Sequence, residues 1–299
     1  MRVQPWFGLF LPQMRMSFET VLERTLAAEA AGFDSVWLMD HFAPPAAADH
    51  DSFEGWTLAA ALLARTTTIR IGHLTTCDAL RPPALLAKMA ATLDVMSGGR
   101  LDLGLGWGSV PDELRVFGVG ERPPAERAAR MRETLDILGL MFAGERFDYD
   151  GDYYRLDGAI GRPVPVQEKL PVHIGGAGVK LTFPLVRDYA DWWNCPCYGV
   201  DRYDELRPLA GDDVRVSVQR PIGLAPDAAS RDAVIDTAQR RFGSWGGLVA
   251  GTADEITPVL AADVARGVDG FVLQFTDFGP PETIEQFMAE VAAPILASA

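Results

Sequence analysis

Cysteine is scarce in this 299-residue chain, which has only Cys77, Cys195 and Cys197. None of them has companions at zinc-ligand spacing, so the sequence offers neither a disulfide framework nor a cysteine-based metal centre. Cys195-Pro196-Cys197 reads as small buried apolar residues rather than a redox pair. Histidine is equally sparse, with four residues, and His50, His73 and His173 form no HxH or HExxH pattern. No metal site is expected. Lysine and arginine total 27 against 41 acidic residues, a net charge of −14. No basic footprint for nucleic acid is present. No apolar run reaches the roughly 18 residues of a membrane helix, so no membrane partner is expected. The opening MRVQPWFGLFLPQ has one arginine, an apolar run broken by Pro12 and no small-residue cleavage pattern. It reads as a first strand, and a cytoplasmic location is expected.

What the chain does have is alternation. Strand-like runs are expected at Trp6–Leu11, Ser35–Met39, Ile69–Leu74, Leu101–Leu105, Val172–Ile174, Trp192–Asn194, Val214–Leu224 and Phe271–Phe275. Helical patterns separate them at about 17–31, 54–65, 82–96, 124–142, 179–189, 202–209, 230–242 and 252–267, with a last helix at 282–295. In the 82–96 helix the spacing of Leu85, Leu86, Met89, Leu93 and Met96 predicts one buried face, and Ser97-Gly98-Gly99 predicts its end. Eight strands with intervening helices predict an α/β (β/α)8 TIM barrel, one domain over residues 1–299. A doubly wound open sheet is the alternative, but Pro12-Gln13 supplies no glycine fingerprint after the first strand. Residues 143–170 are irregular, with a short hairpin around Phe147–Leu156, and are expected as an insertion over the barrel mouth.

Strand C-termini of a barrel converge on one mouth. The residues gathered there are Gln13; Asp40 and His41; His73 to Thr76; Gly106 to Glu113; Gly175 to Gly178; and Asn194. Asp40 can accept from a ligand N–H or OH, and His41 can move protons near neutral pH. Gly175-Gly176-Ala177-Gly178 opens a helix after a late strand, which suits a phosphate. Gly104-Leu105-Gly106-Trp107-Gly108 suits the wall of a flat ring, or simply the packing of a barrel strand. Trp56, Trp192 and Trp193 are expected to pack in the core.

GFDSVWLMDHF (residues 32–42), IRIGHLTT, RPPALLAKMAATLDVMSGGRLDLGLG (81–106), PVHIGGAGVK (171–180), YADWWN and GVDGFVLQF followed by PETIEQF run over nearly the whole chain. Together they resemble the luciferase-like monooxygenase superfamily, closer to the branch using the deazaflavin coenzyme F420. The resemblance implies an oxidoreductase transferring a hydride between F420 and a small organic substrate. FMN with dioxygen, and a partner flavin reductase, is the alternative, and a barrel without redox chemistry is a further one. A homodimer is also implied. The ring would lie against a cis peptide at His73–Leu74, with His73, Leu74, Thr75 and Thr76 on one side and Gly106, Trp107, Gly108, Ser109 and Asp112 on the other. Asp40 would face its polar edge, and Gly175, Gly176, Ala177 and Gly178 would hold the phosphate. Catalytic candidates are Asp40, His41 and Glu113. Relatives that oxidise sugar phosphates carry a glutamate where Ser109 stands, and a tryptophan where Phe42-Ala43-Pro44-Pro45 stands. A serine hydroxyl is no general acid near pH 7, so a reductase of an enone, imine or similar molecule is expected instead.

Overall fold

A computed structural model describes residues 4–45 and 47–298. Residues 1–3, 46 and 299, which the expected single domain includes, lie outside the described residues. The barrel strands are β1 (Trp6–Phe10), β2 (Ser35–Leu38), β3 (Arg70–His73), β4 (Leu101–Gly106), β5 (Val172–Gly175), β6 (Trp192–Cys195), β7 (Arg215–Leu224) and β8 (Gly270–Phe275). Each pairs in parallel with the next, and β8 pairs with β1 through Trp6↔Gly270 and Phe7↔Phe271, closing the (β/α)8 barrel. The strands are buried almost throughout because helices cover their outer faces while side chains fill the interior. Two short strands were not expected. Thr76–Cys77 pairs with Leu105–Gly106, and Val249–Gly251 pairs with Ile222–Leu224 at the end of β7.

The helices that shape the mouth are α1 (Phe18–Ala31), α2 (Gly55–Leu63), α3 (Pro83–Ser97), α4 (Pro111–Val116), α5 (Pro124–Ala143) and α6 (Thr182–Tyr189). Ser17 caps α1 by accepting from Thr20 N, and left-handed Gly32 and Gly98 end α1 and α3 as their sequence positions predict. The buried face of α3 departs from the expected one. Leu86, Ala87, Ala90, Ala91 and Leu93 face the barrel, while Leu85 and Met96 are half or more exposed. Small alanines let the helix sit close on the strands, and this rotation turns two large apolar residues outward.

At the N-terminal end of the barrel the interior is filled with rings. Trp37 lies 6.0 Å from Trp6 and 4.8 Å from His173, and His173 stacks on Trp192 at 5.4 Å. Strand glycines make the room: a Cβ on Gly72 would stand 2.7 Å from the Trp37 ring. This end is closed, so the open end carries the chemistry.

The insertion does not cover the mouth. Its hairpin, Arg146–Asp150 with Arg155–Ile160, lies against α5, where Glu133 accepts from the amides of Asp152, Tyr153 and Tyr154. The chain then passes the base of the barrel, where buried Asp94 accepts from Val166 N and both nitrogens of Gln167. These carboxylate anchors hold the segment to the flank and base.

One buried carboxyl predicts a pH effect on stability. Asp78 opens a short turn (Asp78–Leu80) against α5, is 3% exposed and has an unpartnered Oδ1. Burial pushes its carboxyl up to about 6 from 3.8, outweighing Thr134, Arg130 and Arg122. The folded state therefore holds the proton more tightly, and stability is lost as pH rises from 3.8 through about 6. At about 1.36 kcal/mol per pH unit the full cost above pH 6 is about 3 kcal/mol. Asp78→Asn is expected to raise Tm by several degrees at pH 8, with the gain gone by pH 4. The same gain at both pH values in thermal melts would refute a charge penalty at this site.

Candidate functional site

The C-terminal strand ends enclose a cavity of about 570 Å³, within the range of small-molecule sites. Asp40 and His41 enter it from the end of β2, which Gln13 secures: its Nε2 donates to Met39 O at 2.6 Å and its Oε1 accepts from Met39 N at 3.1 Å. Asp40 is 2% exposed and accepts from Arg81 through both oxygens at 2.7 Å, and from Cys77 N at 2.8 Å. Arg81 also donates to Glu54 at 2.7 Å. Burial would lower the Arg81 pKa, but the bonds and charges of Asp40 and Glu54 outweigh it and raise it. Asp40 thus presents a neutralised pair to the cavity rather than a free carboxylate. Arg81 carried no signal in the sequence, because nothing local marks it as the partner of a residue 41 positions away.

His41 stands in a second pair. Its Nδ1 is 2.7 Å from Glu113 Oε2, while Glu113 Oε1 accepts from Phe42 N at 2.6 Å and Ala43 N at 3.4 Å. Burial alone would push the Glu113 carboxyl up; His41 and the two amides hold it below its ordinary value. A carboxylate accepting at Nδ1 fixes the tautomer and leaves Nε2 as the nitrogen that takes and gives a proton.

Leu74 and Thr75, just past the end of β3, line the neighbouring part of the wall. The cis peptide joins Leu74 to Thr75, one bond later than the resemblance implied. Here β4 needs glycine. A Cβ on Gly104 would run into the His73 carbonyl oxygen, and one on Gly106 into Thr75 Oγ1. His73 itself does not reach the cavity. Its ring stacks on Trp56 of α2 at 4.6 Å, fully buried, with neither nitrogen partnered, and burial pushes its pKa down. Thr76 is likewise buried behind the wall, whereas Cys77 lines it with a thiol pushed up to about 12 by burial.

Gly106, Trp107, Gly108 and Ser109 line the cavity. Trp107 is held from behind: the Arg127 guanidinium lies 5.0 Å from its ring centre, and Nε1 donates to Thr182 Oγ1 at 3.3 Å. Arg127 also donates to Gly108 O at 2.5 Å. Asp112 corrects the expected set. It lies on the outer side of α4, 88% exposed in its side chain and paired with Arg115 at 3.3 Å. Successive helical residues turn by about 100°, so the same helix brings Glu113 and Leu114 inward.

Gly175, Gly176, Ala177 and Gly178 line the far side. The helix after them starts at Thr182 rather than Val179, with Thr182 N donating to Gly178 O at 2.9 Å. A Cβ on Gly175 would stand 3.0 Å from Thr75 Cγ2, so both flanking strands need small residues around Thr75. Asn194 lines the cavity as expected. Thr182, Tyr198, Arg202 and Gln219 were missed. Gln219 shares its strand with Arg215, Ser217 and Arg220, so nothing in the sequence singles it out. Gly106, Gly108, Ser109 and residues 175–178 thus bring backbone and small side chains to the cavity, with Trp107 as the large aromatic surface between them.

Comparison with known proteins agrees with this geometry. The luciferase-like monooxygenase family profile matches residues 6–297. An F420-dependent glucose-6-phosphate dehydrogenase of Mycobacterium avium is 36% identical over 174 residues, 57% of this chain and 49% of that protein. The chain thus matches about half the length of this relative. The structure of an F420-dependent secondary alcohol dehydrogenase in complex with an F420-acetone adduct superposes with a TM-score of 0.80 at 22% identity, covering 99% of each chain. Riboflavin lyase with modified FMN and riboflavin gives 0.83 at 17% identity, covering 99% of this chain and 92% of that one. At these identities the two structures establish the barrel.

Proposed function

The chain belongs to the luciferase-like monooxygenase family, and from that premise we propose that it is an F420-dependent oxidoreductase that reduces a small organic substrate. Leu74–Thr75 and Gly106–Ser109 would hold the deazaflavin ring, Gly175–Gly178 its phosphate, and the Asp40–Arg81 pair its polar edge. When bound, the deazaflavin supplies the hydride. The protein's own contribution is the proton. His41 carries it on Nε2, with Glu113 fixing the ring from behind, and delivers it to the substrate atom that gains electron density. Ser109 cannot share that duty near pH 7. The observation that carries the reading is the His41 Nδ1–Glu113 Oε2 contact of 2.7 Å inside the cavity, because two-electron reduction of a carbonyl, enone or imine needs one hydride and one proton. The F420-dependent relative supports the same cofactor.

The test is binding. Purified protein titrated with F420 and, separately, with FMN is expected to bind F420 at micromolar concentration, read as protein-bound absorbance after gel filtration. FMN bound at micromolar concentration with no retention of F420 would replace this reading with a flavin-dependent one.

A further inference from the structure

Two exposed aromatic residues beside the mouth have no part in the chemistry described so far. Phe42 and Phe117 are 42% and 47% exposed, with ring centres 5.0 Å apart and planes at 57°. Both are tied to the proton-carrying pair through backbone. Phe42 N donates to Glu113 Oε1 at 2.6 Å, and Phe117 N donates to the Glu113 carbonyl at 3.0 Å. These bonds place the backbones of both residues beside the pair; neither ring lines the cavity itself, whose nearby wall carries the apolar Leu74, Val110 and Leu114.

The charges of the cavity point the same way. Among the described residues lining it, Asp40 is neutralised by Arg81, Glu113 is paired with His41, and Arg202 is 3.2 Å from Glu205. No lining cation stands without a carboxylate partner to hold a substrate phosphate or carboxylate. Apart from the amides of Gly175–Gly178, which the cofactor's phosphate would occupy, nothing here offsets the desolvation of a substrate anion, whereas a neutral ring would gain apolar contact.

Building on the reading above, we propose that the substrate is an uncharged molecule with an aromatic or alicyclic ring, seated on Phe42 and Phe117 with its carbonyl or imine directed to His41. The proposal is read with 4-phenylbut-3-en-2-one and 3-penten-2-one, which share the enone and differ by phenyl for methyl. Each gains a hydride from reduced F420 and one proton, giving the saturated ketone and oxidised F420.

The expected result is a kcat/KM at least tenfold higher for the phenyl compound. In the double variant Phe42→Ala/Phe117→Ala that advantage is lost through a higher KM, with kcat and F420 affinity within twofold of wild type. Saturation-transfer NMR on the protein without cofactor is expected to show contact to the phenyl protons in wild type and its loss in the double variant. Equal KM values for the two enones, an unchanged KM in the double variant, or faster turnover of glucose 6-phosphate would overturn the proposal. If F420 does not bind at all, the reading it builds on fails instead, and the NMR comparison still decides whether the aromatic pair seats a ring.

Discussion

Replacing His41 with asparagine lowers kcat by about 10²–10⁴-fold, the range that a positioned proton donor contributes, and leaves F420 affinity and Tm close to wild type. The side chain is one-fifth exposed and makes its polar contact through Nδ1, so its removal costs little packing. Asparagine keeps an amide donor near Glu113 but has no ring nitrogen to take up and release a proton. Glu113→Gln separates positioning from catalysis. It retains an oxygen acceptor for the Phe42 amide and removes the charge that fixes the imidazole tautomer, so a smaller loss in kcat is expected, with a displaced pH profile. The acid side of that profile has a definite sign. Glu113 titrates below its ordinary 4.5; the stability it confers is present above that value and is lost as pH falls through the depressed one. Wild type should therefore keep the pair intact from neutral pH down to about 4.5. A His41→Asn enzyme with kcat within threefold of wild type would remove His41 from the proton step.

The barrel was legible because its strands are buried on both faces. Runs such as Ser35–Leu38 and Phe271–Phe275 are continuous rather than alternating, and turn residues separate them from amphipathic helices. Short elements were not legible: Thr76–Cys77 and Val249–Gly251 are two and three residues long, and α4 covers fewer than two turns. The missed helix explains why Asp112 and Glu113 could not be told apart in sequence, since only its rotation sends one outward and the other to His41. The α3 face was misread for a related reason. Periodicity weighs large apolar residues above alanine, but close helix–strand approach buries Ala87, Ala90 and Ala91 and leaves Leu85 and Met96 outside. At the site, strand-end position located Asp40, His41 and the two glycine segments, because the fold itself puts strand ends together. What sequence position could not carry was which group neutralises which.

That pairing matters most at Arg81, where substitution by leucine is expected to destabilise the protein by about 3–5 kcal/mol, the cost of breaking a buried ion pair from one side. Asp40 is 2% exposed and its side chain meets Arg81 through two bonds of 2.7 Å, with Arg81 itself 9% exposed. Removing the guanidinium leaves a carboxylate with one remaining donor, Cys77 N, and too little solvent to screen it. Glu54 loses its Arg81 bond too, but it is 39% exposed and still caps α2 through Thr57 N, so its share is small. The two contributions separate in a double-mutant cycle. Adding Asp40→Asn to Arg81→Leu removes the orphaned charge and should recover most of the lost stability, whereas Glu54→Gln in the same background should recover little. Since Asp40 borders the cavity, Arg81→Leu should also weaken F420 binding, and an unfolding free energy within 1 kcal/mol of wild type by denaturant titration would mean that the Asp40 carboxylate is hydrated rather than held by its partner.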